Sequence, residues 1–516
     1  MKILLVYPQY PDTFWSFKHA LKFISRKAAF PPLGALTVAA MLPQEWEKKL
    51  VDMNVSVLKD EDIKWADYVF ISAMVVQKES VKSVIQRCNR LGTKVVAGGP
   101  LFTTEPDAFS GIDHLILNEA EATLPAFLAD LNDGHPQRRY SSNTHPPITQ
   151  TPVPLWSLVN KSKYASMNLQ YSRGCPFNCE FCDITFLDGN VPRTKDKEQV
   201  LAELDSLYEA GWRGEVFFVD DNFIGNKKKL KEEILPGIID WMQKKKHPFT
   251  LSTEVSVNLA DDTELMQLMV QSGFHKVFVG IETPNEASLS ECDKKQNTSR
   301  DLVATVRRIQ NHGFEVIGGF IVGFDNDTPS IFKTQISFIQ KSGIVEAMVG
   351  LLNAPKGTRL YQRLKAENRL TKESSGDNTD FSLNFVPKMK PEDLIAGYKE
   401  ILNTIYAPKH YYARIKTLLN EYHPKLTKWN LKSTRDNILG FANCMWFMGI
   451  REKGRRYYWR LLASTLFTRP NSIPLLLTLS VYGYHFRRVI KQYVNSPDVA
   501  MVRFSQPLLA NESFKT

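Results

Sequence analysis

The sequence contains few cysteines and no long apolar run. Six cysteines in 516 residues are too few for a disulfide framework, and they suit a reducing compartment in which thiols are free to bind metal. No stretch of 18 or more apolar residues occurs, so no membrane-spanning helix is expected. The nearest candidate, Ile473 to Phe486, is short and contains Pro474. The start, Met1 to Pro8, is too short for a signal-peptide core and predicts a buried first strand, which favours a cytoplasmic protein.

The composition is that of an ordinary globular protein. Hydrophobic residues make up 43% and charged residues 23%, and the length predicts two to four domains. There are 65 basic and 55 acidic residues, a net charge of +10. This charge fits either a soluble protein with a basic surface or one that binds an anionic ligand, a membrane surface or nucleic acid. The basic residues are spread along the chain rather than gathered in one tail.

Residues 1–131 alternate short buried strands with helices. This rhythm predicts an α/β doubly wound domain with a parallel sheet. The stretch 132–164 begins with a Pro-, Ser-, Thr- and Asn-rich segment without periodicity, and we interpret it as a linker. The predicted strands are Ile3–Val6, Leu50–Met53, Tyr68–Ile71, Val95–Ala97 and Leu115–Leu117.

Residues 165–365 repeat the strand–helix unit about six times, which predicts a closed or partial barrel with its chemistry at the carboxyl ends of the strands. Residues 366–516 interleave aromatic with basic side chains and predict a mostly helical C-terminal region. The barrel strands are predicted at Met167–Tyr171, Val216–Val219, Phe249–Glu254, Lys276–Ile281, Val316–Val322 and Ala347–Leu352.

Three cysteines follow the first predicted barrel strand with the spacing C-x3-C-x2-C: Cys175, Cys179 and Cys182. A compact loop brings three thiolates to one face, enough to hold three irons of a cubane cluster and to leave the fourth iron open. A structural zinc site is the alternative, but such sites use four ligands. The remaining cysteines stand far away in sequence, and we interpret them as buried small hydrophobes. They are Cys88, Cys292 and Cys444.

This motif, with an aromatic residue before the last cysteine, resembles the radical S-adenosylmethionine (SAM) superfamily. The resemblance implies that SAM chelates the open iron of a [4Fe–4S] cluster and that Phe181 lies beside the SAM adenine. Polar residues recur where predicted strands end, and carboxylates there suit the SAM ammonium and ribose. An isolated carboxylate after a strand is also often a helix cap. The candidate SAM-binding residues are Phe181, Asp220, Asp221, Asn222, Glu254 and Glu282.

A doubly wound domain before such a barrel resembles the cobalamin-dependent (class B) subfamily. The Asp-x-His-x-x-Gly motif that supplies a histidine to cobalt is absent, and neither His19 nor His114 lies in that pattern. Either cobalamin binds without a histidine, or the domain is a structural one without cofactor. Open parallel sheets bind ligands beyond their strand ends. The candidate cobalamin-binding residues are Gly34, Ser72, Gly98, Gly99, Pro100, Glu119 and Glu121.

Three blocks, Leu187 to Thr194, Phe217 to Asn226 and Ala407 to Arg414, resemble a bacterial cobalamin-binding radical SAM group that includes the hopanoid C-2 methylases. The resemblance implies a C-methyltransferase acting on an unactivated carbon, for example of a polycyclic lipid. A radical rearrangement, a ring-forming reaction and a non-catalytic cluster sensor are the alternatives. The expected partners are a small-molecule or lipid substrate and an electron donor such as flavodoxin or ferredoxin, without nucleic acid. The aromatic and basic C-terminal region suits either a position peripheral to the inner membrane or a helical cap over the barrel.

Overall fold

The structure, a computed structural model, describes residues 1–377, 379–422 and 435–494, with side chains from 440 onward in the last range. These residues form two compact units. The first comprises Met1–Pro176, Leu187–Glu254 and Gln267–His275. The second comprises Phe177–Phe186, Val255–Met266 and the described residues from Lys276 onward. The four segments predicted from the sequence keep the status of predictions, because these units do not test their boundaries.

The first unit begins with a six-stranded parallel sheet in the order β2-β1-β3-β4-β5-β6. Its central strands are apolar on both faces because helices cover both sides, as in β1, where Ile3 to Val6 are all buried. The five predicted strands are present, and the sixth was not predicted. The strands are β1 Lys2–Tyr7, β2 Glu47–Asp52, β3 Tyr68–Ser72, β4 Lys94–Gly98, β5 His114–Ile116 and β6 Arg139–Tyr140. The helices are α1 Lys18–Leu21, α2 Leu33–Met41, α3 Asp60–Trp65, α4 Lys78–Leu91, α5 Pro100–Thr104 and α6 Ala120–Asn132.

The stretch interpreted as a linker folds onto this sheet. It supplies β6 and three short 3₁₀ turns, and Ile148, Trp156 and Tyr164 are all buried. The Tyr164 hydroxyl donates a hydrogen bond to Asp52 Oδ2 at 2.9 Å. The segment lacks periodicity because single apolar side chains, rather than one regular face, anchor it to the sheet.

All six predicted barrel strands are present within two residues of their expected limits, and helices separate them. In the first unit β10 pairs in parallel with β7 and β11, while β8 and β9 form a short antiparallel hairpin. In chain order the elements are β7 Met167–Leu169, β8 Ser172–Arg173, α7 Ile184–Leu187, β9 Arg193–Thr194, α8 Lys197–Glu209, β10 Glu215–Phe218, α9 Lys227–Lys229, α10 Leu235–Lys244, β11 Thr250–Val255 and α11 Thr263–Gln271. Most of α7 and the first half of α11 belong to the second unit.

In the second unit β13 pairs in parallel with β12 and β14. The predicted helical C-terminal region is confirmed over its described part; residues 423–434 and 495–516 lie outside it. Among the described helices, none is both long and apolar enough to cross a membrane. The elements are β12 Phe274–Glu282, α12 Glu286–Glu291, α13 Leu302–Asn311, β13 Glu315–Val322, α14 Ser330–Ser342, β14 Ala347–Leu351, α15 Arg359–Ala366, α16 Pro391–Ile405, α17 Pro408–Glu421, α18 Arg435–Trp446, α19 Arg455–Thr468 and α20 Ile473–Val494.

Candidate active site

The loop that carries Cys175 is held by close backbone contacts inside the first unit. Gly174 has a φ of 88°, and a Cβ there would lie 2.9–3.1 Å from three carbonyl oxygens of residues 188–191. Only glycine fits this turn without strain. The Cys175 N–H donates to the Gly189 carbonyl at 3.3 Å. The Asn222 side-chain amide lies 3.8 Å from the Cys175 sulfur, so this predicted SAM-binding residue contacts a predicted cluster ligand.

Cys179 and Cys182 belong to the second unit, where one turn joins them through a 3.1 Å hydrogen bond from the Cys182 N–H to the Cys179 carbonyl. The Gln296 side-chain amide lies 3.9 Å from the Cys179 sulfur. Burial raises the pKa of both thiols, whereas the nearby Lys294 charge lowers that of Cys179. Amide donors and a cation beside sulfur stabilise the thiolate form that ligates iron and tune an iron–sulfur cluster.

The donor chemistry therefore fits a cluster. In the described part of the chain, no three His, Cys, Asp or Glu side chains converge as a metal-binding set, and Cys175 and the other two cysteines belong to different units. The assignment of the three ligands stays a prediction. Cys88, Cys292 and Cys444 are each at most 2% exposed, as expected for buried small side chains.

Two arginines of α15, which sequence reasoning missed, hold the second half of the cysteine loop. Arg363 makes a bidentate contact with Glu180, at 2.6 and 3.0 Å, and Arg359 donates to the Asn178 carbonyl. Phe181 packs edge-on against Phe324, with ring centroids 6.3 Å apart, so its ring is oriented by an apolar cluster. The position beside the SAM adenine stays a prediction.

Glu282 ends β12 in a left-handed backbone conformation that residues other than glycine rarely adopt, with a φ of 63°. Such backbone strain persists where surrounding contacts enforce it, and it is concentrated at functional sites. Glu282 Oε1 lies 2.7 Å from Lys294 Nζ, and both side chains are nearly buried. A Cβ on Gly280 would lie 2.4 Å from Glu282 Oε1 and 2.8 Å from Lys294 Nζ. The glycine of the Gly-Ile-Glu motif therefore makes room for this ion pair, and Lys294 is a second site residue that sequence reasoning missed.

Asp220 follows β10 and is fully buried. Its Oδ2 accepts a 3.0 Å hydrogen bond from the Tyr171 N–H, and its Oδ1 accepts hydrogen bonds from the Ser172 N–H and hydroxyl. Burial raises its pKa to about 6 despite these donors. The carboxylate thus fastens the chain just ahead of the cysteine loop, a positioning contact that the sequence did not predict.

Glu254, on β11, is half-buried. Burial and, secondarily, the charge of Asp220 raise its pKa to about 7. Asp221 is also half-buried, whereas Asn222 is buried. The structure therefore brings Asp220 and Glu254 close enough to interact, as expected for consecutive parallel strand ends. Their contact with SAM stays a prediction.

Two of the three glycines predicted to bind cobalamin, Gly98 and Gly99, lie at the end of β4, beside the end of β3. Ser72 of β3 pairs in register with Gly98 of β4, and Gly99 has a φ of 96°. A Cβ on Gly99 would lie 3.2–3.4 Å from Ala73 backbone atoms and the Ser72 hydroxyl. Pro100 follows as the exposed first residue of α5, and Gly34 is exposed on α2. Four of the seven residues thus share one edge of the sheet.

Glu119 and Glu121, predicted at the same site, are engaged by arginines within the first unit. Arg173 donates to Glu119 at 2.8 Å and to both oxygens of Glu121 at 2.9 and 3.0 Å. Arg193 and His145 contact Glu119 at 2.8 and 2.9 Å. Burial alone would raise the pKa of Glu121, but Arg173 lowers it to about 2. Arg173 precedes Cys175 by two positions, so these contacts tie the N-terminal sheet to the cysteine loop.

Family models match three parts of the chain. They are the B12 binding domain over residues 23–128, the radical SAM superfamily over 169–339 and a domain of unknown function over 358–498. The fold and the cysteine motif thus define a radical SAM enzyme with a B12-binding domain, and its α/β architecture with a helical C-terminal region is as predicted.

Two relatives span nearly the whole chain. An uncharacterized methyltransferase of Synechocystis sp. PCC 6803 is 40% identical over 502 residues, covering 96% of this chain and 93% of that protein. Hopanoid C-2 methylase of Rhodopseudomonas palustris is 34% identical over 498 residues, covering 94% and 92%. The chain belongs to the cobalamin-dependent radical SAM family. Its cofactors are accordingly a [4Fe–4S] cluster, SAM and cobalamin.

Two solved structures share the fold. The cobalamin-dependent SAM radical enzyme OxsB has a TM-score of 0.61 at 15% identity, covering 96% of this chain and 80% of its own. The radical SAM methyltransferase TsrM from Kitasatospora setae has a TM-score of 0.56 at 15% identity, covering 77% and 85%. At this identity the likeness concerns the fold alone.

Proposed function

We propose that the chain is a C-methyltransferase that acts on an unactivated carbon of a polycyclic lipid such as a hopanoid. The observation that carries this proposal is the 34% identity to hopanoid C-2 methylase over 94% of the chain. The 40% identity to an uncharacterized methyltransferase of Synechocystis supports methyl transfer as the reaction class. The proposal of a lipid substrate depends on the similarity to hopanoid C-2 methylase alone.

The cofactors would supply the difficult chemistry. A C–H bond without an acidic proton is broken by a radical rather than by a base, and a bound methyl donor then provides the methyl group for the new C–C bond. The chain contributes binding, orientation and charge. We propose that Cys175, Cys179 and Cys182 hold the cluster. We also propose that Glu282, held by Lys294, meets the SAM ammonium, because a fixed carboxylate loses little freedom on binding.

In the same proposal the remaining strand-end residues complete the SAM site, and the exposed sheet edge holds cobalamin. Gly98 and Gly99 let the chain turn at this edge, where open parallel sheets bind ligands, because backbone atoms of Ile116 and Ala73 occupy the space that a Cβ there would fill. The proposed SAM residues besides Glu282 are Phe181, Asp220, Asp221, Asn222 and Glu254, and the proposed cobalamin residues are Gly34, Ser72, Gly98, Gly99, Pro100, Glu119 and Glu121. The electron donor is proposed to be a flavodoxin or ferredoxin.

The test is methyl transfer by the purified enzyme, reconstituted with cluster and cobalamin, given SAM with a deuterated methyl group, a reductant and hopanoid. We expect a hopanoid heavier by one labelled methyl group. Cys179→Ala should abolish the product, whereas Cys88→Ala, at a buried site far from the motif in sequence, should keep it. SAM cleavage with a rearranged but unmethylated product would contradict methyl transfer, and labelling of another substrate class but not of hopanoid would contradict the lipid.

A further inference from the structure

The C-terminal part of the second unit exposes an unusual share of large apolar side chains. Of the thirteen exposed large hydrophobic residues in the described chain, six lie between positions 441 and 467. Phe467 is the most exposed of all, at 85%. Scattered apolar residues are normal on a protein surface, but a concentration on neighbouring helices marks an interaction site. The six are Phe441, Trp446, Ile450, Trp459, Leu466 and Phe467.

The pattern on α19 separates two faces. Tyr458, Leu461 and Thr465 are buried at helical spacing and pack inward. The opposite face carries Phe467 beside Arg460, since residues seven apart lie on the same side of a helix. Trp459 of α19 contacts the π-helical segment Phe447–Arg451 that continues α18, because its indole N–H donates to the Gly449 carbonyl at 2.9 Å. The exposed apolar residues of both helices therefore belong to one connected part of the unit.

Basic residues alternate with these apolar residues along the sequence. Between positions 441 and 469 the sequence has six arginines and lysines and one acidic residue. That acidic residue, Glu452, is 3.4 Å from Arg487, so its charge is already balanced. The basic residues are Arg451, Lys453, Arg455, Arg456, Arg460 and Arg469. An apolar face bordered by cations suits the boundary of an anionic bilayer, where rings enter the acyl region and cations meet phosphates.

The other aromatic and basic block of the C-terminal region behaves differently. Tyr411 and Arg414 of α17 are fully buried, and the two terminal nitrogens of Arg414 donate to Gln340 Oε1 at 2.7 Å and to the Ile405 and Val345 carbonyls. Residues of the same type therefore form the core of the unit in one block and its surface in the next. Composition alone cannot explain this exposure.

We propose that the exposed face of residues 441–469, on α18, the segment Phe447–Arg451 and α19, docks the enzyme on an anionic lipid bilayer. This surface deepens the proposed function and rests on it for its purpose, because a polycyclic lipid substrate resides in the bilayer. Docking itself needs no turnover, so vesicle binding and methyl transfer can fail independently.

The experiment is flotation of the full-length protein with vesicles of phosphatidylglycerol and phosphatidylcholine in equal parts, compared with pure phosphatidylcholine. We expect binding to the anionic vesicles that weakens with added salt. Replacing Arg456 and Arg460 together by Gln should weaken binding about 30-fold. Replacing Leu466 and Phe467 together by Ser should weaken it about tenfold or more.

Matched controls lie on the first unit. Arg138→Gln with Arg139→Gln removes the same charge from another exposed site, and Val57→Ser alters a side chain that is 79% exposed. Both should bind vesicles like the wild type. Absence of wild-type binding, or equal loss in the controls, would overturn the proposal. A dimer interface is the other possible outcome. If the wild type sediments as a dimer, the Leu466/Phe467 variant sediments as a monomer and both bind vesicles equally, a second copy of the chain covers this face and the proposal is overturned.

Discussion

Removing the charge of Glu121 tests whether the Arg173 ion pairs stabilise the first unit. The Glu121 side chain is 4% exposed, and Arg173 lowers its pKa from 4.5 to about 2. A shift of this size corresponds to about 3 kcal/mol of native-state stabilisation at neutral pH. Glu121→Gln should remove most of it, in line with the cost of breaking other buried pairs. For a unit of this size the melting temperature should fall by about 6–12 °C.

The assay is thermal unfolding of wild type and variant by circular dichroism across a pH series. Because the folded pKa is depressed, the stabilisation is present above pH 4.5 and is lost as the pH falls from 4.5 toward 2. The difference between wild type and variant should shrink over that window. Glu79→Gln is the matched control, since Glu79 is 83% exposed and pairs with Lys82 on the surface of the same unit. Exposed pairs contribute about 1 kcal/mol or less.

An equal effect of the two substitutions would refute the reasoning. So would a difference between wild type and Glu121→Gln that stays constant down to pH 2, because a purely steric effect of the substitution does not titrate. Iron content after reconstitution gives a second measure, since Arg173 precedes Cys175 by two positions.

Three further predictions concern the cofactors. Replacing Cys175, Cys179 or Cys182 by alanine should abolish the cluster, whereas replacing Cys88, Cys292 or Cys444 should not. Measuring iron and sulfide content tests this, and equal loss in both sets would contradict the ligand assignment. Glu282→Gln should weaken SAM binding about tenfold or more with the cluster intact, because a charge-assisted contact is lost; an unchanged affinity in a SAM titration would leave Glu282 as the structural partner of Lys294 alone. His19→Ala and His114→Ala should leave the cobalamin spectrum and affinity unchanged, because His114 lies at the amino end of β5, opposite the carboxyl ends where such sheets bind ligands, with its Nδ1 2.7 Å from the Gln137 carbonyl. An altered cobalt spectrum in either variant would contradict the histidine-free model.

Local patterns in the sequence were enough to place the strands and the cysteine motif. Buried runs such as Tyr68–Ile71 and Val316–Val322 predicted strands within two residues of their limits. A strand inside a parallel sheet must be apolar on both faces, and this requirement is visible in a few consecutive residues. β6 escaped prediction because two residues at the edge of a sheet carry no such signal.

The partners of the charged residues were decided by the tertiary structure. Glu121 and Arg173 are 52 positions apart, and Lys294 meets Glu282 across a helix and a turn. The neighbouring sequence does not distinguish these charged residues from charged residues exposed to solvent, because a buried ion pair depends on which groups the fold brings together away from water. Glu119 and Glu121 illustrate the difference, since the family resemblance named them as cobalamin candidates but gave no sign of their contacts with Arg173.

The sequence by itself determined the order of strands and helices, the spacing of the thiols and the family, because each of these depends on patterns among residues close together in the chain. Only the tertiary structure decided which aromatic and basic residues face outward. Tyr411 and Arg414 are buried, and Arg460 and Phe467 are exposed, although both blocks have the same residue types on helices. The physical reason is that burial depends on which face of each helix its neighbours cover, and a single amphipathic period does not specify those neighbours.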